Sequence, residues 1–564
     1  MRVALAQIAP VVGAFDANVA LIEAAYDRAC KAGARLLLTP ELGVCGYPPH
    51  DLIERPEIFE RNDRAVDQLR KRTEGQECAL IVGHVDANPY STGRPARNCV
   101  SVLEGGKRVH HQAKTLLPTY DVFDEARYFE PAREVKPWIC DGVPIAVSIC
   151  EDLWGADSVW GRRLYGSDPV ERYRAAGVKL ILSSSASPYE WGKGRHREEI
   201  HAEVAKKLGS PLLYVNQWGA TDEILFDGAS FALDPAGQVQ GRLPHFADGF
   251  ATVDVVTNGT GNPTWTADAG VETGGELEVL SRALVTGIRE YFSRTHFKMA
   301  VLGLSGGIDS AVVATLAAKA LGPKNVLGVA MPSQYSSSHS LSDAELLAKN
   351  LGVKLEVRPI KFLFSTTNRE LGEARGGLKP LAQENLQARL RGLTLMTLAN
   401  HYGALTLTTG NKSELAVGYC TQYGDMVGAL APIGDLFKTR VYELARHLNA
   451  AWGAPIPEGS LTKPPSAELA PGQKDEDSLP PYALLDPLLS DYLEQRLSVA
   501  ELVKRHESKH RPKDGSKTGS WVRDTLRLIE VNEFKRRQAA PVLKVSGKAF
   551  GIGRRIPLAK VWDQ

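Results

Sequence analysis

The apolar stretch Met299–Leu304 reads as a strand, and it runs straight into Ser305-Gly306-Gly307-Ile308-Asp309-Ser310. A helical pattern follows from about Ser310 to Leu321, and a second strand pattern covers Val326–Ala330. Strand, Gly-rich turn, helix and strand in such close succession predict a parallel crossover, so this half is expected to be a doubly wound parallel α/β sheet. The glycines permit positive φ and close backbone approach. A helix that starts at such a turn aims N–H groups at whatever sits there, so the turn is expected to take an anion. It lacks the Gly-Lys-Ser/Thr of a Walker A loop, and a Gly-rich turn by itself is often purely structural.

The first half alternates between strand and helix patterns in a different order. Strand patterns fall at Val3–Ile8, Arg35–Thr39, Leu80–Val85, Asn98–Leu103, Lys107–Gln112, Ile145–Ile149, Val178–Ser183, Leu212–Val215 and Phe250–Val255, and Asn18–Ala32 has helical periodicity. A strand-rich region with intervening helices predicts a layered α/β sandwich. The run from about Asn258 to Gly275, NGTGNPTWTADAGVETGG, is rich in Gly, Thr and Asn and reads as a linker, followed by a helix from Glu276 to about Phe292. Residues 364–377 and 455–481 read as loops.

Composition narrows the function classes. The 564 residues carry a formal net charge of +1, so no global field recruits nucleic acid or an anionic membrane. Seven cysteines are scattered with no Cys-x-x-Cys pair, which argues against a disulfide framework or a zinc site and fits a reducing cytoplasm. No signal-peptide pattern and no membrane-spanning apolar run is seen.

Three polar residues stand at strand C-terminal ends, where open α/β folds place chemistry. They are Glu41 after LLLTP, Lys114 after RVHHQA and Cys150 after IAVSI. A cysteine attacking an amide needs a base and a donor for the oxyanion, and a glutamate and a lysine supply these. Taken singly, Cys150 reads as a small buried hydrophobe, and Glu41 and Lys114 as surface charges. The strings PELGVCGY, AKTLLPTYDVFDEARYF and ICEDLW, in this order, resemble the Glu–Lys–Cys motifs of the nitrilase superfamily. That resemblance implies an αββα sandwich over residues 1–260 with amidase (glutaminase) chemistry. It implies Glu41 as the base, Lys114 as the oxyanion partner and Cys150 as the nucleophile carrying a glutamyl thioester. It also implies Tyr120, Ser187 and Lys193 as contacts to L-glutamine, with Glu125 as a supporting carboxylate, although Ser183 to Ser185 and Arg195 are close neighbours of the weaker two.

The string SGGIDS after its strand resembles the pyrophosphate loop of N-type ATP pyrophosphatases, an adenine nucleotide alpha hydrolase-like fold. MPSQYSSSHSLSDA, ENLQARLRG, LTTGNKSELAVGYCTQYGD, PIGDLFKTRVYELA, LTKPPSAEL, DEDSLPPY and NEFKRRQAAP follow, and together they closely resemble the NAD synthetase domain over about residues 276–545. The resemblance implies that Gly303, Leu304, Ser305, Gly306, Gly307, Ile308, Asp309 and Ser310 hold the pyrophosphate of ATP, with Thr409 a further ATP contact. It implies Asn385, Glu414 and Lys535 as contacts to deamido-NAD, Asp309 and Glu414 as ligands of Mg²⁺, and Lys438 and Lys463 as phosphate contacts. Asn385 and Glu414 equally suit a role near a helix start, and Lys535 lies in a basic run, EFKRRQ, that suits a solvated face.

The organisation expected is therefore 1–260 glutaminase, 261–275 linker and 276–564 ATP-using synthetase. A carboxylate is a poor electrophile until AMP is loaded onto it, and the amine that attacks must be neutral. Amines of this kind titrate near about 10, so free ammonia at neutral pH is mostly protonated, and internal release and channelling would raise its effective concentration. The small-molecule partners implied are deamido-NAD, L-glutamine and ATP, and related enzymes suggest a homo-oligomer. Two rivals remain: another amidotransferase sharing the ATP loop, and a nitrilase-type amidohydrolase whose C-terminal half only senses nucleotide.

Overall fold

Two-residue alternation assigns each strand face to a layer. In Arg2–Gln7, Val3 and Leu5 face one core while Ala4 and Ala6 face another. The same split recurs at Leu36 and Leu38 against Leu37, and at Ala79 and Ile81 against Leu80 and Val82. These strands belong to a seven-stranded sheet in the order Thr264–Ala267, Gly249–Asp254, Arg2–Gln7, Leu36–Leu38, Ala79–Ala87, Ala96–Glu104 and Lys107–Ala113. A six-stranded sheet runs in the order Val239–Arg242, Phe231–Leu233, Leu212–Asn216, Leu180–Ser185, Val143–Ile149 and Trp138–Cys140.

The two sheets share the core built by Val3, Leu5, Ile145, Val147, Leu180, Leu182 and Leu213. The helices Phe15–Lys31 and Pro56–Arg72 cover the outer face of the first sheet. Pro169–Ala175 and Lys193–Leu208 cover the outer face of the second, over Ala146, Ile181 and Tyr214. This is the four-layer αββα sandwich. The computed structural model describes all residues except 155–157, 160–161, 257–260, 268–273, 373–375, 514 and 561–564. The chain divides into two compact units, Met1–Gly275 and Glu276–Gln564.

The second unit centres on a four-stranded sheet in the order Lys354–Val357, Val326–Ala330, Ala300–Gly303 and Leu405–Thr406, with every pairing parallel. The order reverses between Ala300–Gly303 and Leu405–Thr406, and the carboxyl ends flanking such a reversal form a natural crevice. Ile308–Leu321, Ser338–Leu351 and Pro380–Tyr402 supply helices around this sheet. A separate helical core gathers Leu485, Leu489, Leu502, Trp521, Leu526 and Ile529.

Several segments differ from the sequence reading, among them a short helix, Glu458–Thr462, inside the expected loop 455–481. Residues 361–372 form a helix where a loop was expected. Only Phe364 and Gly372 of it are buried, so the apolar stripe that would announce a helix is absent. Residues 264–267 inside the expected linker form an edge strand, because Trp265 alternates inward onto the inter-sheet core. Gly241 lies under that ring, where a Cβ would overlap the indole. Residues 258–260 and 268–273 of the same stretch, and 373–375 of the other, lie outside the described residues. The helix Pro56–Arg72 was not anticipated, since it buries only the narrow stripe Ile58, Asn62, Ala65 and Leu69. Among the described residues no helix is long and apolar enough to cross a membrane.

Candidate functional site

Cys150 ends the strand Val143–Ile149 and opens a single 3₁₀ turn, Cys150–Leu153, at φ +41°. A non-glycine residue held there costs on the order of 1–3 kcal/mol, which the surrounding structure must supply. Part of that hold is visible at Asp152, whose carboxylate accepts the N–H groups of Thr115 at 2.9 Å and Leu116 at 2.8 Å. The segment that follows Lys114 is thereby tied to the turn that carries Cys150.

Glu41, Lys114 and Glu125 are all buried. Lys114 Nζ donates to Glu41 Oε1 and to Glu125 Oε1, each at 2.7 Å. Asn98 Nδ2 donates to Glu41 Oε1 at 2.7 Å, the Ala186 N–H donates to Glu41 Oε2 at 3.0 Å, and Tyr47 Oη donates to Glu125 at 2.8 Å. Burial opposes the Lys114 charge, but Glu125 and Glu41 outweigh it and hold the ammonium well above its ordinary value. Burial, with the Glu41 charge, pushes Glu125 up to about 7 against the pull of Lys114. The Cys150 thiol is pushed far up by burial first and by Glu41 second, with Lys114 opposing. The resting thiol is therefore protonated, and it becomes a nucleophile only by handing its proton to an adjacent base as it attacks.

The expected glutamine contacts surround this cluster. Tyr120 Oη donates to Glu151 at 3.1 Å, and Tyr165 Oη donates to the same carboxylate at 2.8 Å. Ser187 is buried and its N–H is held by Asn216. Lys193 Nζ lies 5.7 Å from the Phe123 ring centre and 5.8 Å from that of Trp154. The sequence reading missed Asn98, the Ala186 N–H, Tyr47, Glu151 and Tyr165. Of these, Asn98 carried a signal, as a polar residue at the head of an apolar strand, and Tyr47 and Glu151 lay within the quoted motifs.

In the second unit the crevice is a cavity of about 290 Å³. Its lining includes Gly303, Leu304, Ser305, Gly307, Ile308, Asp309, Ser310, Thr409, Glu414, Lys438 and Lys463. Gly306 lies beneath them at φ +77°, where a Cβ would fall 2.2 Å from the Ser340 carbonyl oxygen, so only glycine fits. Asp309 Oδ1 accepts from Asn411 at 3.0 Å and Oδ2 from Lys438 Nζ at 2.5 Å, and Lys438 also donates to Glu414 Oε1 at 3.2 Å. One cation thus already sits between two carboxylates.

Glu414 also closes a capping box with Asn411 at the start of Lys412–Val417, so the helix-start reading of Glu414 holds alongside its place on the cavity wall. Burial, with the Asp309 and Asp475 charges, pushes Glu414 up to about 8 while Lys438 opposes. Lys463 donates to Ser340 and lies 3.6 Å from Glu468. Asn385 and Lys535 are not on the cavity wall. Asn385 accepts from Thr421, and Lys535 donates to the carbonyls of Gly418 and Cys420, so both flank the 418–421 segment at its edge.

Known proteins resemble the chain in the same two parts. The carbon–nitrogen hydrolase family model matches residues 2–262 and the NAD synthase model matches residues 280–539. A glutamine-dependent NAD(+) synthetase from Synechocystis sp. is 43% identical over 99% of both chains. The chain belongs to the glutamine-dependent NAD(+) synthetase family. A synthetase of the family from Xanthomonas campestris is 40% identical, covering 99% of this chain and 97% of its own. A solved synthetase from Acinetobacter baumannii, in complex with ADP, superposes with a TM-score of 0.75 at 34% identity, over 99% of this chain and 98% of the other. Membership makes the chain a carbon–nitrogen ligase in which a nitrilase-like glutaminase domain is fused to an NAD synthetase domain.

Proposed function

We propose that the chain makes NAD from deamido-NAD, ATP and L-glutamine, releasing AMP, diphosphate and L-glutamate. The observation that carries the first half is the buried cluster in which Lys114 bridges Glu41 and Glu125 beside Cys150. Glu41 takes the thiol proton as Cys150 attacks the carboxamide of glutamine, and Lys114 stabilises the oxyanion. Ammonia leaves, and Glu41 then activates the water that cleaves the thioester. Tyr120, Ser187 and Lys193 hold the amino-acid end of the substrate, and Glu125 keeps Lys114 in place.

In the second unit the Gly303–Ser310 turn cradles the β and γ phosphates of ATP at the start of its helix, and the ADP complex of the Acinetobacter relative supports an adenine nucleotide as ligand. The nicotinate carboxylate of deamido-NAD attacks the α-phosphorus, diphosphate departs, and ammonia displaces AMP. Thr409 contacts ATP, and Asn385, Glu414 and Lys535 contact deamido-NAD. The paired carboxylates of Asp309 and Glu414 suit a hard cation, and Lys438 marks a point within reach of both, so these residues would hold Mg²⁺, which neutralises phosphate charge when bound. We further propose a homo-oligomer.

A single assay following NAD, glutamate, AMP and diphosphate tests the reading. The four products are expected to form in equal amounts, with diphosphate absent when magnesium is chelated. Glutamate formed without diphosphate in the presence of ATP, magnesium and deamido-NAD would instead favour the amidohydrolase that only senses nucleotide.

A further inference from the structure

Glu41 is held on both oxygens, and one hold comes from a backbone that is itself clamped. Its Oε2 accepts the Ala186 N–H. The next residue, Ser187, is gripped at both ends of its peptide units by one side chain: its N–H donates to Asn216 Oδ1 at 2.8 Å and its carbonyl accepts from Asn216 Nδ2 at 3.1 Å. The same Nδ2 donates to Asp227 Oδ1 at 3.2 Å. Asp227 is paired two-fold with Arg197, Nη2 to Oδ1 at 3.0 Å and Nη1 to Oδ2 at 3.2 Å. Asn216, Asp227 and Arg197 are each no more than 1% exposed.

Burial alone would raise the Asp227 carboxyl, but Arg197 together with His245, 3.6 Å from Oδ2, outweighs it and holds it down at about 2. The pair is therefore ionic at neutral pH. A buried ion pair is a poor source of stability, since apolar residues of similar volume commonly do as well, so what this pair supplies is geometry. Both of its partners come from outside the Cys150 turn, Arg197 from the helix Lys193–Leu208 and Asp227 from the strand Ile224–Asp227. Asn216 ends the strand Leu212–Asn216, where its amide reaches Ser187, two residues past the end of the neighbouring strand Leu180–Ser185. The amide has two possible orientations. The ionised Asp227 admits only the one that presents Nδ2 to it, and that orientation leaves Oδ1 for the Ser187 N–H.

We infer that Asn216, oriented by the Asp227–Arg197 pair, is a positioning residue for Glu41. It fixes the Ala186–Ser187 backbone, and that backbone fixes the carboxylate that takes the Cys150 proton. The inference rests on the reading of Glu41 as the base.

The test uses the full chain with Asn216→Ala, with the double variant Arg197→Met/Asp227→Leu, and with Glu41→Gln as reference. Glutamine-supported and ammonia-supported NAD formation are measured on the same preparations, with kcat and KM for glutamine resolved separately. A carboxylate displaced by about 1 Å is expected to lower kcat about 100-fold. The ammonia-supported rate is expected to remain near wild type, and kcat for glutamine is expected to fall by a larger factor than KM rises, since Ser187 is itself read as a substrate contact. The double variant removes the ion pair without stranding a charge, and it is expected to lower kcat in the same direction. Wild-type kcat in both variants overturns the inference. So does a loss confined to KM, which would assign Asn216 to substrate contact through Ser187. If Glu41→Gln itself leaves glutamine hydrolysis intact, the reading of Glu41 as the base fails, and that failure is separate from a failure at Asn216.

Discussion

At the residue scale the decisive element is a lysine with no access to water. Lys114 is 1% exposed and lies between two carboxylates. Its ammonium bonds both Glu41 and Glu125, so its removal leaves two buried acids facing each other. Stranding a buried charge costs about 3–5 kcal/mol. Lys114→Met is therefore expected to lower unfolding stability by about that amount and to abolish glutamine hydrolysis. Denaturant titration and a glutamate assay check the two parts. An unchanged midpoint would show that Glu41 and Glu125 share a proton instead of depending on the lysine. Glu41, Lys114 and Cys150 were legible in the sequence only together, because each stands just past a strand and the three strings around them resemble one set of motifs. Their supports were not. Asn98 and Ala186 reach Glu41 from 57 and 145 positions away, and no local pattern encodes contacts that only the assembled sheets create.

At the scale of elements, the strand–turn–helix at Ala300–Leu321 could be read from the sequence because its glycines and its apolar period point the same way. The helix Lys361–Gly372 could not, because its apolar residues face outward. Phe362 is 79% exposed and Leu363 50% exposed. The following helix, Pro380–Tyr402, exposes Leu381 and Leu393 as well. Large apolar side chains exposed on two consecutive helices make these helices the candidate contact of the proposed oligomer. If the proposed oligomer uses these helices, Leu381→Glu with Leu393→Glu is expected to shift sedimentation velocity toward the monomer. Unchanged sedimentation would place the contact elsewhere.

For the whole molecule, several carboxyls lie above their ordinary range chiefly through burial, among them Asp425 at about 6, Glu125 and Asp152 at about 7, and Glu414 at about 8. Each keeps its proton in the folded chain at pH values where the unfolded chain has lost it. Through these acids the unfolded state binds fewer protons, so their contribution falls as pH rises. Below about 6.5 the histidines His110, His111 and His201, held at about 4, 3 and 4 chiefly by burial, are protonated only when unfolded and act the opposite way. The unliganded protein is expected to melt at progressively lower temperature as pH rises from about 7 to about 8, where unfolded histidines are already neutral and Glu125, Asp152 and Glu414 still lose protons. Calorimetry across that range checks this, and a melting temperature that climbs steadily with pH would show that these acids are ionised in the fold.

The account rests on a division of labour between a thiol that frees nitrogen and a second site that spends ATP on a carboxylate. Cys150→Ala tests it most directly, with NAD formation from deamido-NAD and ATP measured once with glutamine and once with ammonium salt. The expected result is no NAD from glutamine and a near wild-type rate from ammonia. Equal loss of both activities in a folded protein, or full activity with glutamine, would contradict the account.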